Sequence, residues 1–473
     1  KRQDIIQIRG GVRMDRVIFH IDVNSAFLSW EAVYRLKILG EETDLREIAS
    51  VVGGDEKKRH GIVLAKSIPA KKYGIQTGES LAEARKKCPN LTIVPPQHDL
   101  YKQCSDLFIQ LLREYTPCVE QYSIDEAYMD MSGTLSLHGS PVVVANAIKD
   151  RIHREFGFTV NIGVSNNKLL AKMASDFKKP NLVHTLFPDE IEKKMWPLPV
   201  SELFFVGRAT AKKLFAMGIK SIGDLAKADI DILKVNLKKH GETIHNFANG
   251  IDDSIVLTES IANKGYGNST TLPFDVTDRD TALMILLSLS ETVGTRLRKD
   301  HVYIRVIAVS IVDCEFHHVS HQMTLLEPTN LTNEIHAAAC QLFDELWNGE
   351  PLRNFGVHTS RIEEQGESRQ LNLFELGLKQ ESCQVKEAVD YRITEKSNAL
   401  LKREKLEKLD QTIDQIRTKY GMDSIKRANF VNSKLGHMSG GSSSITLPKQ
   451  KEKGKPFDPA KGLQKHAQAS KEE

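Results

Sequence analysis

The 473-residue chain has no apolar run approaching ~18 residues, so no membrane span and no signal peptide is expected. Its six cysteines (Cys88, Cys104, Cys118, Cys314, Cys340, Cys383) form no CxxC pair and no zinc-ligand spacing. That excludes a zinc module and fits reduced thiols in the cytoplasm. A strong charge imbalance is missing too: Lys and Arg number 65 against 62 Asp and Glu. The basic excess there is lies past residue 374, where 20 Lys and Arg face 14 Asp and Glu. A polyanionic partner would therefore require cationic side chains segregated onto one surface, which composition neither demands nor forbids. With 27% charged and 40% hydrophobic residues, the chain is ordinary globular material, long enough for several domains.

What is present is an unusual placement of carboxylates. Asp22 closes the apolar run Val17-Ile18-Phe19-His20-Ile21, which reads as a core strand. Asp125 and Glu126 stand side by side in Ser123-Ile124-Asp125-Glu126, inside a run (Val119 to Met131) that reads as a hairpin of two short strands. Strand neighbours point to opposite faces, so an adjacent Asp-Glu pair costs burial without obvious gain unless a turn aims both at one point. Three carboxylates so gathered repel unless a cation sits between them, and hard oxygen ligands favour magnesium. Two such ions are the usual machinery of in-line phosphoryl transfer. The competing reading is a helix cap at Asp22 and a solvated hairpin tip at Asp125-Glu126. Asn24 or Ser25 is expected to cap a helix carrying Phe27, Leu28, Ala32 and Leu36, whose free N–H groups suit a nucleotide triphosphate.

The segments Phe19-His20-Ile21-Asp22-Val23-Asn24-Ser25-Ala26-Phe27 and Ser123-Ile124-Asp125-Glu126-Ala127-Tyr128 resemble the two catalytic segments of Y-family DNA polymerases, the low-fidelity lesion-bypass enzymes, and most of all the bacterial polymerase IV type. The resemblance runs from about Val17 to about Phe374. It implies an α+β multidomain right-hand fold, with residues 14–182 as palm and small fingers inserted at about 28–90. Residues 183–255 would be a helical thumb with a helix-hairpin-helix, 262–368 a little finger, and 369–473 a clamp-binding peptide, a helix and a disordered tail. Lys1–Arg13 reads as an extension outside the fold.

Within that frame Asp22 and Asp125 would bridge two Mg2+ ions, Glu126 would complete the site that activates the primer 3′-hydroxyl, and the Val23 carbonyl would be a ligand. Ser25, Ala26, Phe27, Lys71 and Lys179 fall at nucleotide-binding positions, with Phe27 as the steric gate against a ribose 2′-hydroxyl. Lys179, in Ser175-Asp176-Phe177-Lys178-Lys179-Pro180-Asn181, would contact the triphosphate, although spacing alone also allows a solvated lysine pair. Gly207, Arg208, Thr210 and Lys212 belong to a run that looks like a helix-hairpin-helix gripping the DNA backbone, or else a helix pair with glycine caps. Gln370, Leu371, Leu373 and Phe374 resemble the peptide that binds the replication sliding clamp; an edge strand is the alternative. The implied partners are primer-template DNA, deoxynucleoside triphosphates and the clamp, for a monomeric enzyme without a membrane.

Three departures stand out. Asn24 takes the place where polymerase IV types usually carry a second aspartate. Ile68 and Lys71 replace a tyrosine and an arginine on the triphosphate, and lysine is a point charge rather than a bidentate fork. Gly53-Gly54-Asp55-Glu56 matches the tetrapeptide of diguanylate cyclases but leads into Lys57-Lys58 with no aromatic residue, and reads as coincidence. A non-catalytic, clamp-bound relative is the alternative function; such proteins lose the acidic residues, whereas Asp22, Asp125 and Glu126 are kept. Beyond the clamp peptide, Leu406, Leu409, Ile413, Ile416 and Tyr420 make one apolar stripe on a helix stopped by Gly421, suited to docking or, second, to a short coiled coil.

Overall fold

The computed structural model describes residues 16–59, 61–259, 262–364, 386–421 and 424–430. Two compact units emerge among them, one holding residues 16–54 and 61–259, the other 55–59 together with 262–364, 386–421 and 424–430.

The first unit is built on a five-stranded sheet. Strand β1 (Ile18–Val23) is central and buried along its whole length, His20 and Asp22 included. It leads into helix α1 (Ala26–Tyr34). The chain then forms a small three-stranded sheet from β2 (Ser50–Gly53), β3 (Val63–Lys66) and β4 (Thr92–Val94), flanked by the short helices α2 (Ile68–Lys72) and α3 (Leu81–Lys87). Asp55 accepts a hydrogen bond from the Lys57 N–H, and the Gly53–Glu56 tetrapeptide spans the end of β2 and the start of the long connection to its antiparallel partner β3.

The chain returns through α4 (His98–Arg113) to the acidic hairpin β5 (Val119–Gln121) and β6 (Glu126–Asp130). Helix α5 (Pro141–Phe156), strand β7 (Val160–Ser165), helix α6 (Lys168–Asp176) and strand β8 (Val183–Thr185) complete the layer. The sheet order is β5-β6-β1-β7-β8, with β1 antiparallel to both neighbours. β8 therefore carries the sheet to Thr185, past residue 182. Gly163 decides how close α6 lies: a Cβ there would sit 1.9 Å from the Ala171 carbonyl oxygen, so only glycine admits the helix onto β7.

A helical module follows, with α7 (Arg208–Ala216), α8 (Ile222–Ala226), α9 (Ile230–Leu237) and α10 (Lys239–Ala248) around a core of Leu214, Ile222, Leu225, Leu233 and Ile244. The strap after it is pinned to the sheet: Asp252 accepts from the Leu169 N–H at 3.0 Å and Glu120 from the Leu257 N–H at 2.7 Å.

The second unit has a four-stranded antiparallel sheet, ordered β11-β10-β12-β9, from β9 (Gly267–Val276), β10 (Val302–Asp313), β11 (His318–Thr329) and β12 (Leu352–Glu364). Helices α11 (Arg279–Lys299) and α12 (Thr332–Leu346) share its apolar core. A long helix, α13 (Lys386–Tyr420), docks on α11. Docking was expected of the apolar stripe, but that stripe is not what is buried. Leu409 and Tyr420 are 53% and 67% exposed, while Asp410 and Arg417 are buried. They pair with Arg298 and Glu291 of α11. Gln370, Leu371, Leu373 and Phe374, and the tail beyond 430, lie outside the described residues.

Candidate active site

Strand register brings the acidic motifs together. Asp22 on β1 pairs directly with Glu126 on β6, so the two carboxylates stand on neighbouring strands at the same level. Asp125 is in the turn before β6; its carbonyl accepts from the Val23 N–H at 3.0 Å, while its carboxylate is held by the Ser123 hydroxyl at 2.7 Å. The same hydroxyl accepts from the Glu126 N–H. Ser123 thus shapes the turn that lets consecutive acidic residues share one end of the sheet.

Two lysines meet these carboxylates. Lys172, on the helix that Gly163 admits, pairs with Glu126 and lies 3.7 Å from Asp22 and 3.5 Å from Asp176. Lys179 bridges Asp22 at 3.0 Å and Asp176 at 2.9 Å. Burial pushes the Glu126 carboxyl above its ordinary range, Lys172 pulls it back, and the Asp22 charge adds to the rise. Burial works against the Lys172 ammonium, yet Asp176, Glu126 and Asp22 together hold its pKa above the usual lysine value. Lys179 is raised in the same way, with Asp22 the leading favourable partner. Among the described residues, no three His, Cys, Asp or Glu groups are arranged to hold a metal ion. The cluster is a ring of hard oxygen donors neutralised by ammonium groups, which is the charge balance a cation would otherwise supply.

Next to it, α1 begins abnormally. Ser25 is its N-cap with a left-handed backbone (φ 48°) and no capping side-chain bond, contrary to the expected cap. A non-glycine residue costs of order 1–2 kcal/mol in that conformation. The first-turn N–H groups around Ala26 and Phe27 are left without a capping side chain. The Phe27 ring is half-buried and stacks on Tyr101 with centroids 4.5 Å apart. Tyr101 in turn donates to Glu31, a fully buried carboxylate that also accepts from Arg35 and Gln97. The ring therefore has a fixed backing.

The other expected contacts lie elsewhere in the unit. Lys71 is exposed on α2 and makes no ion pair among the described residues; Ile68, at the start of α2, is 52% exposed. Burial and the nearby Lys71 charge lower the pKa of Lys66. Gly207 caps α7, and a Cβ on it would meet nothing within 4 Å. Among the described residues nothing requires glycine there. Gly207, Arg208 and Lys212 line an open depression of about 520 Å³. Thr210 contacts His240 at 3.4 Å.

Three comparisons bear on this arrangement. Models of the impB/mucB/samB family match residues 21–176 and, for its C-terminal domain, 263–373; a DNA polymerase-iota thumb domain matches 202–252. DNA polymerase IV of Clostridium acetobutylicum is 46% identical over 415 residues, 88% of this chain and 98% of that protein. The chain belongs to the Y-family DNA polymerases, on the DNA polymerase IV branch. DNA polymerase IV of Acetivibrio thermocellus is 37% identical over 88% of this chain and 97% of its own length. A chimeric Y-family DNA polymerase assembled from Dbh and Dpo4 shares the fold at TM-score 0.64, covering 74% of this chain and 99% of its own, with 22% identity.

For this Y-family polymerase, sequence reading missed Lys172, Asp176 and Glu31 as parts of the site. Lys172 and Glu31 each left a trace: a lysine among Leu169, Leu170, Ala171, Met173 and Ala174, and a glutamate between Trp30 and Ala32. A charge on an apolar helix face needs a partner, and each has one.

Proposed function

We propose that this template-directed, low-fidelity DNA polymerase, which acts in translesion synthesis, extends primer 3′ ends with Asp22, Asp125 and Glu126 as its metal-binding carboxylates. The observation that carries the assignment is the direct pairing of Asp22 with Glu126 beside the Asp125 turn, compensated by Lys172 and Lys179. The donors fit magnesium in chemistry: carboxylate oxygens from two strands, with the Val23 carbonyl at the end of β1. Two magnesium ions bound there would supply an activated primer hydroxyl and neutralisation of the departing pyrophosphate. The chain's own work is to hold the carboxylates at one level, to offer the N–H groups of Ser25, Ala26 and Phe27 to the triphosphate, and to bring the Lys179 and Lys71 charges to it. The stacked Phe27 ring excludes a ribose 2′-hydroxyl. The sheet unit would be the palm with fingers, the helical module the thumb, and the second unit the little finger. Gly207, Arg208, Thr210 and Lys212 would grip the DNA backbone without reading sequence. Gln370, Leu371, Leu373 and Phe374 would tether a monomeric, cytoplasmic enzyme to the sliding clamp.

The test is primer extension by Asp22→Ala, Asp125→Ala and Glu126→Ala proteins. Each is expected to lose incorporation while retaining primer-template binding, which rests on phosphate contacts and weakens steeply with salt. Near-normal extension by Asp125→Ala would overturn the assignment and favour a clamp-bound protein without activity.

A further inference from the structure

Asn24, two residues beyond Asp22, has every polar atom engaged. Its N–H donates to the Thr159 carbonyl at 3.0 Å, and its carbonyl accepts from the Ser29 hydroxyl at 2.6 Å. The side chain spans two other elements. Its Nδ2 donates to Asn161 Oδ1 on β7 at 3.2 Å, and its Oδ1 accepts from the Asn181 N–H at 3.0 Å. Asn161, fully buried, holds the same turn from its other end. Its Nδ2 donates to the carbonyls of Lys178 at 2.6 Å and Ser175 at 3.1 Å, and its Oδ1 also accepts from the Leu182 N–H at 3.3 Å. Apart from the bond between the two amides, these partners are backbone groups with fixed polarity, so neither amide can flip without losing bonds.

The turn clasped between Lys178 and Asn181 carries Lys179, the lysine on Asp22. We propose that Asn24 is a positioning residue that, with Asn161, fixes the turn carrying Lys179 relative to β1 and so sets nucleotide affinity. This rests on the reading of Lys179 as a triphosphate contact. It also explains the departure from aspartate at this position. A carboxylate at 24 could still accept from Asn181, but its second oxygen would face Asn161 Oδ1, and Asn161 cannot turn its amide without stranding Leu182, Lys178 and Ser175. A buried acceptor facing an acceptor is the costly case. Asparagine at 24 and asparagine at 161 therefore require each other.

The experiment is a cycle of full-length Asn24→Asp, Lys179→Ala and the double variant, measuring nucleotide KM and kcat separately in primer extension, with Asn24→Ala as a second probe that removes the bonds without the clash. Asn24→Asp is expected to raise KM roughly tenfold, the size of one buried hydrogen bond turned repulsive, with a smaller change in kcat. Asn24→Ala should raise KM less. In the Lys179→Ala background, Asn24→Asp should add almost nothing, because the group it positions is gone. If Lys179→Ala raises KM while Asn24→Asp leaves it unchanged, or if the two effects simply add, the positioning role is overturned and the Lys179 reading stands. If Lys179→Ala leaves KM unchanged, the triphosphate reading falls and the role of Asn24 falls with it.

Discussion

Replacing Lys172 by Met removes an ammonium while keeping most of the side-chain volume, and isolates what that charge does for Glu126. Both side chains are nearly out of water, 11% and 18% exposed. Burial pushes the Glu126 carboxyl upward, with the Asp22 charge adding to the rise, and Lys172 opposes them. At ~4 Å and an effective dielectric constant near 20, such a pair interacts by about 4 kcal/mol. Solvent screens part of that at Glu126. Glu126 must be ionised to bind a cation, so activity falls as pH drops through its pKa. Without Lys172 that pKa rises further, and the acid limb of the pH profile should move to higher pH. Primer extension as kcat/KM between pH 6 and 9 reads this directly. The variant should be weak at the low end and recover as pH rises. A uniform loss across the range, with the acid limb unmoved, would refute the electrostatic role and leave Lys172 a packing residue.

Phe27→Ala should raise ribonucleotide incorporation far more than it lowers deoxyribonucleotide incorporation, and Tyr101→Ala, which removes the surface that Phe27 stacks on, should do the same more weakly; an unchanged ratio of kcat/KM returns Phe27 to a core aromatic. Glu291→Ala strands Arg417, whose side chain is 4% exposed, and should loosen the docked C-terminal segment by about 3 kcal/mol, seen as faster hydrogen exchange over 403–430 than in the rest of the second unit. Changing Leu373 and Phe374 to Ala should abolish stimulation by loaded clamp, an interaction expected to be roughly micromolar, with clamp-free activity and Tm unchanged; a large fall in Tm would mean that the segment is structural.

Sequence alone made the acidic strand ends legible because each interrupts a pattern. Asp22 ends an apolar run, and Asp125-Glu126 breaks strand alternation, so both announce a cost that something must repay. Lys172 was not legible. Its partners lie about 46 and 150 residues earlier, at Glu126 and Asp22, and the approach depends on Gly163 opening β7 to the helix. No local window contains that information. Ser25 failed for a different reason: serine at a helix start normally caps, and only the backbone angle reveals that here it does not.

Helix α13 shows how a correct periodicity can select the wrong face. The stripe Leu406, Leu409, Ile413, Ile416, Tyr420 and the docked row Leu406, Asp410, Ile413, Arg417 share members and differ by a rotation of the helix. Apolar counting prefers the first. The partner surface decides otherwise, because α11 presents Glu291 and Arg298 seven residues apart, and α13 presents Arg417 and Asp410 with the same spacing in reverse order. The matched pairs fix the helices antiparallel and in one register. A slide of one turn would part Glu291 from Arg417 and Arg298 from Asp410 together. Asp410 has a second task that no apolar residue could perform. Helix α12 starts after Leu331, which cannot cap, and Asp410 accepts the Thr332 N–H at 3.0 Å from outside. A carboxylate at a helix N-terminus also meets a favourable dipole. The charged face wins because Asp410 and Arg417 pair with Arg298 and Glu291 and Asp410 also takes the Thr332 N–H, whereas Leu409 and Tyr420 stay exposed.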